Sequence, residues 1–89
     1  MVKKKSPWLH YNKRRLILYS NRLEYIDPLT NKKKGDIGLN ILCNAIWNDN
    51  YTFEVFTPKR VYVFKTEYEG SALVWCSRIN LVTQYLKKD

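Results

Sequence analysis

Eighty-nine residues, 45% hydrophobic and 15% aromatic, are enough for one packed core and exclude both a two-domain protein and a disordered basic tail. The formal charge of +8 lies entirely in the first 34 residues, where ten lysines and arginines face only Glu24 and Asp27; the remainder carries six charges of each sign. A neutral domain with one positive end points to an anionic partner: a lipid headgroup, a nucleic acid or an acidic protein.

The opening Met1-Val2-Lys3-Lys4-Lys5 has the charge of a secretory n-region, but Ser6-Pro7-Trp8-Leu9-His10 leads into Lys13-Arg14-Arg15 with no apolar stretch between. No apolar run approaches the roughly 18 residues of a spanning helix. A soluble, cytoplasmic domain without a transmembrane segment is expected, any membrane contact being peripheral. Residues Arg15 to Ser20 read as a strand that turns at Ser20-Asn21 into a second one, Arg22 to Ile26. There Leu23 and Tyr25 alternate with Arg22, Glu24 and Ile26. Asp27-Pro28 ends this hairpin, because proline has no donor and restricts its predecessor. A turn with a third short strand is expected from Thr30 to Ile37.

From Gly38 to Asn50 the apolar residues Ile41, Leu42, Cys43, Ala45, Ile46 and Trp47 are interrupted by asparagines and Asp49, and no element can be assigned. Trp47 is expected in a small cluster under a long loop. Tyr51, Phe53 and Val55 then share one strand face, Thr57-Pro58-Lys59 turns, and Arg60 to Lys65 returns as the second arm of a hairpin. After Ser71 the period becomes helical. Ala72, Trp75, Cys76, Ile79, Val82 and Leu86 recur at threes and fours over about 71–87, with Ser71 as N-cap. Glu67 and Glu69 precede the positive end of the helix, while Lys87 and Lys88 lie at its negative end. A single domain over 1–89 is expected.

Catalytic and metal chemistry find no support. Cys43 and Cys76 are too few for a disulfide scaffold and read as reduced core thiols; with His10 alone they cannot form a four-ligand zinc set. There is no Cys-x-x-Cys, glycine-rich phosphate loop or nucleophile elbow. Helix polarity accounts for the Glu67 and Glu69 pair. No cofactor, no metal and no enzymatic activity are expected: this is a binding module.

The basic segment has internal order. Alternation sends Lys13 and Arg15 to one side of their strand and Arg14 to the other. Two like charges on one strand face repel unless an anion joins them. Lys4, nine residues earlier on a preceding strand, is expected to converge with them, giving the planar fork of guanidinium and the point charge of ammonium that suit phosphate. Lys3, Lys32 and Lys33 read more simply as solvated edge residues.

The pattern Lys4-x8-Lys13-x-Arg15 followed by Leu16-Ile17-Leu18 resembles the basic signature of phosphoinositide-binding pleckstrin-homology domains. Tyr25-Ile26-Asp27-Pro28, Lys34-Gly35-Asp36-Ile37, Thr52-Phe53-x-Val55-x-Thr57-Pro58-x-Arg60-x-Tyr62 and Trp75-Cys76 extend the resemblance to about Tyr85. Within that family they are most similar to the C-terminal domain of 3-phosphoinositide-dependent protein kinases. The resemblance implies a mainly β fold, a bent antiparallel sandwich of seven strands capped by one C-terminal helix. Val2 to Lys5 and part of 38–50 would supply the strands not read directly. It also implies a headgroup site of Lys4, Lys13, Arg15, Tyr25, Lys34 and Arg60, with Lys5 and Arg14 as a secondary basic surface. Two departures stand out: the first strand carries three lysines, and the Ser6–Asn12 loop is short and lacks the lysines of its relatives. Trp8, Leu9 and Tyr11 occupy that loop, either plugging the sandwich or, for Trp8 and Leu9, touching the membrane interface.

Basic residues near an anionic leaflet contribute roughly 1 kcal/mol each, a weak attachment screened beyond ~8 Å. Charge-assisted bonds of roughly 1.5–3 kcal/mol each would add stereospecific affinity. The leading expectation is a module that binds 3-phosphorylated phosphoinositide lipids of the inner leaflet. It would recruit a cytoplasmic protein to the plasma membrane and serve a serine/threonine kinase domain of the same polypeptide. The alternative is a protein-interaction module of the same fold with weak or lost lipid specificity. Single-stranded nucleic acid ranks last, because it leaves Lys34 and Arg60 unexplained.

Overall fold

Strand β1 (Val2–Lys5) pairs antiparallel with two neighbours, β2 (Tyr11–Leu18) on one side and β7 (Val61–Thr66) on the other. It joins two groups of strands. One continues through β3 (Arg22–Ile26) to β4 (Lys33–Gly38), and the other through β6 (Thr52–Phe56) to β5 (Asn44–Trp47). The order β4-β3-β2-β1-β7-β6-β5 is antiparallel throughout, and helix α1 (Ser71–Leu86) packs on β5, β6 and β7. The structure, a computed structural model, describes residues 2–5 and 11–87, with side chains from 13 to 87. Trp8, Leu9, His10 and Lys88 lie outside the described residues. The mainly β sandwich with a closing helix is as expected, and its two unread strands fall at Val2–Lys5 and inside 38–50.

Alternation explains the core. Leu16 faces Tyr25, Leu18 faces Leu23, and Leu23 faces Ile37 across consecutive ladders, so one face of β2, β3 and β4 is apolar. It meets Phe53, Val55 and Phe64 from the other group, all fully buried, with Phe53 and Phe64 stacked at a centroid distance of 5.2 Å. Tyr51 does not share that burial, because β6 begins after it and its ring is exposed. Trp47 is also a correction. It is 48% exposed on β5, beside exposed Ile46.

On the opposite face of the first hairpin, Glu24 is buried although alternation puts it outward. Its carboxylate accepts Arg22 Nε at 2.8 Å and lies 3.7 Å from Lys33 Nζ, which also reaches Asp36 at 2.6 Å. The four side chains cover each other, and Lys33 is committed to this row as a structural charge.

The helix begins one residue differently from expectation. Gly70, at φ 85°, takes the N-cap position, and Ser71 is already helical with no side-chain cap. The chain reverses here, with Gly70 N–H donating to Asn50 O and Ser71 N–H to Tyr68 O; the left-handed turn favours glycine. Ala72, Cys76, Ile79 and Thr83 form the buried stripe, while Trp75, Val82 and Leu86 sit at its margins, half-buried. Thr83 tolerates burial because its hydroxyl donates to Asn80 O at 3.0 Å. Both cysteines are free and buried, and desolvation pushes the Cys76 thiol up to about 11.

Asn80 fastens the edge strand. Its Oδ1 accepts the Ala45 N–H at 2.8 Å and its Nδ2 donates to the Ala45 carbonyl at 2.9 Å, satisfying both outward groups of β5 at that residue. Asn80→Ala strands both, and we expect a loss of about 1–3 kcal/mol. Urea unfolding checks this: the midpoint falls while the slope stays constant. An unchanged midpoint would mean water replaces the amide at no cost.

Candidate functional site

The six-residue connection between β3 and β4 organises the basic residues. Asp27 starts it: its N–H donates to Lys32 O at 2.9 Å, its carbonyl accepts Asn31 N–H at 2.8 Å, and its Oδ1 accepts Leu29 N–H at 2.9 Å. Asn31 closes the turn at φ 60°, a left-handed conformation that asparagine adopts more readily than most residues. Fixed in this way, the Asn31 side chain accepts Arg15 Nη2 at 2.8 Å. Arg15 is thereby aimed at the turn from the neighbouring strand. Its stem also lines a groove of about 240 Å³ with Leu16, Thr66, Glu67, Tyr68, Ser71 and Trp75.

Asp27 carries a second message. Its carboxyl is held below the usual range first by the Leu29 amide, and further by the charges of Lys34 and Arg14. Arg14, expected on a secondary surface, donates Nη1 to Lys13 O at 2.7 Å. Lys34 sits at a bulge. Tyr25 pairs with Gly35 and Ile26 with Lys33, leaving Lys34 out of the ladder. Tyr25 packs so closely over Gly35 that a Cβ there would overlap its ring, which gives that glycine a steric reason.

On the first strand, position 3 pairs with Lys13, position 4 with Asn12 and Phe64, and position 5 with Tyr11. Lys13 itself is exposed.

Arg60 comes from the separate β6–β7 turn, where the Thr57 hydroxyl donates to Arg60 O at 2.8 Å and accepts Arg60 N–H at 3.1 Å. Its guanidinium lies over the Tyr62 ring, 4.5 Å from the centroid. Tyr62 in turn faces a cleft of about 390 Å³ shared by Asp36, Ile37, Gly38, Asn40, Thr57, Pro58 and Lys59. Asn31 thus holds Arg15 at the 27–32 turn, Lys34 leaves the ladder just past its end, Tyr25 packs over Gly35, and Arg60 comes from the separate β6–β7 turn. Asp27 and Asn31, which hold this arrangement, were not singled out from sequence; their signal was the Asp-Pro start followed by an asparagine four residues later. Among the described residues no group of His, Cys, Asp and Glu could hold a metal ion, and no helix is long and apolar enough to cross a membrane.

The profile of the family described as PH domain matches residues 1–88. Among solved structures, the C-terminal PH domain of pleckstrin, in complex with D-myo-Ins(1,2,3,4,5)P5, superposes with a TM-score of 0.83 at 21% identity, covering 92% of each chain. The Slm1 PH domain, in complex with inositol-4-phosphate, gives a TM-score of 0.74 at 16% identity over 92% of this chain and 91% of that one. The N-terminal PH domain of human ARAP2 gives 0.78 at 24% identity over 94% and 76%. No curated protein sequence matches the chain.

Proposed function

Because the chain belongs to the PH domain family, we propose that its basic face binds the phosphorylated inositol headgroup of a phosphoinositide and holds the parent protein at the plasma membrane. The observation that carries this reading is Arg15 held by Asn31 at the 27–32 turn, with Lys34 released from the ladder just past the end of that turn and Lys13 exposed two residues before Arg15 on the same strand. Two neighbours of the same fold support it, the pleckstrin and Slm1 domains, each solved with an inositol phosphate. Arginine forks and lysine point charges on a fixed turn are what a multiply phosphorylated ring requires.

The finer assignment is to 3-phosphorylated headgroups and to service of a serine/threonine kinase in the same polypeptide. It rests on the likeness of Tyr25-Ile26-Asp27-Pro28 and of the segment from Thr52 to Tyr62 to the C-terminal domain of 3-phosphoinositide-dependent kinases. Lys4, Lys5, Trp8 and Leu9 belong to this reading as residues of the first strand and loop, and Arg60 as a flanking cation. Isothermal titration with inositol 1,3,4,5-tetrakisphosphate at physiological salt tests it, alongside inositol 1,4,5-trisphosphate. Saturable binding that is tighter for the 3-phosphorylated ring is expected. Equal binding would remove the 3-phosphate preference, and absence of both would remove the headgroup site.

A second reading, a protein-interaction module, has its own observation: Val74, Leu81 and Tyr85 on α1 are more than half exposed.

A further inference from the structure

That exposed row has a definite shape. Val74, Arg78, Leu81 and Tyr85 follow at intervals of four, three and four, which aligns them along one side of α1. The row does not face open solvent alone. Leu18 of β2 stands opposite Val74, Trp75 and Arg78 around a hollow of about 420 Å³. Ser20 stands opposite Leu81, Val82 and Tyr85 around a second hollow of about 270 Å³. Seven residues of helix separate the equivalent walls, Val74 and Leu81, so the hollows lie about 10 Å apart.

Charge selects the occupant. Arg78 is the only charged side chain of α1, and it lines one of the two apolar hollows. A second copy of this chain would bring an Arg78 against an Arg78, on domains that each carry +8. A partner with carboxylates matches instead. A guanidinium at the edge of apolar surface is weakly hydrated and takes a carboxylate by two parallel bonds.

We propose that the groove between α1 and the β2–β3 hairpin docks an acidic amphipathic helix of a partner protein. Two apolar side chains of that helix, two turns apart, fill the two hollows, and a carboxylate in the turn between them pairs with Arg78. The groove lies at the far end of β2 from Lys13, about 16 Å away along the strand, so the partner and an anion at the basic face bind together. The proposal stands independently of headgroup binding.

The test uses two helical peptides with leucines two turns apart, one carrying glutamates at its polar positions and the other lysines. Binding is followed by calorimetry and by amide shifts of the labelled domain. The glutamate peptide is expected to shift Leu18, Ser20, Val74, Leu81 and Tyr85, equally in wild type and in Lys13→Ala/Arg15→Ala. Arg78→Glu should weaken it roughly tenfold, the loss of one charge-assisted contact, and strengthen the lysine peptide. Leu81→Asp, at an exposed position, should abolish the shifts while thermal unfolding stays unchanged. Shifts confined to the basic strands, indifference to Arg78→Glu, or dimerisation of the domain through this face in sedimentation would each overturn the proposal.

Discussion

Replacing Lys13 and Arg15 together by alanine is expected to lower the affinity for inositol 1,3,4,5-tetrakisphosphate by roughly a hundredfold or more at physiological salt. Each charge-assisted bond to a phosphate oxygen contributes roughly 1.5–3 kcal/mol. Losing one from each residue therefore amounts to at least two factors of ten. The fold should survive. Both side chains are exposed, and the only described side-chain bond between them and the rest of the protein is that of Arg15 to Asn31. Charge alone must be separated from geometry, since removing any two cations from a chain of +8 weakens attraction for an anion. An Arg78→Ala/Lys87→Ala variant makes the same change in net charge away from the turn. It should cost only a few-fold. If both pairs lose affinity equally, the basic end acts as a diffuse field and the 27–32 turn has no part in recognition.

Phe64→Ala should be the most damaging single change to the fold. Phe64 is fully buried, stacks on Phe53, and sits on β7 directly beside β1. Truncation removes its transfer energy and leaves a cavity beneath Phe53, about 3–5 kcal/mol together. That is a large share of the roughly 5–15 kcal/mol holding a domain of this size. The melting temperature should fall by at least roughly 12 °C, while Phe64→Leu, which keeps most of the volume, should lose far less. Calorimetric melting of the three proteins decides the matter. A drop of only a few degrees for alanine would mean the core relaxes around the gap.

Those elements whose partners are near in sequence could be read before the structure. The β2–β3 and β6–β7 hairpins and α1 show their period within ten residues or so, although β2 runs Tyr11–Leu18 rather than 15–20 and Ile26, read as outward, is buried. β5 did not declare itself, because Ile46 and Trp47 face outward and its fastening residue, Asn80, is 35 positions away. Glu24 was misplaced for a similar reason: its burial depends on Lys33 and Asp36 of the next strand. The candidate site was legible as charge and not as geometry. Lys13 and Arg15 follow from strand alternation, but which position of β1 pairs with Lys13 is a matter of register that composition does not encode; position 3 takes that place. Asp27 and Asn31 act through the closure of a turn, which composition does not encode.

The bond pair from Asn80 to Ala45 has a consequence for the company this chain keeps. A sheet edge with free amides and carbonyls is a template on which a foreign strand can add itself. On β5 that edge is bordered by exposed Ile46 and Trp47, apolar side chains that would welcome such an addition. By occupying the Ala45 groups from within, Asn80 leaves a foreign strand fewer free groups on this edge to pair with.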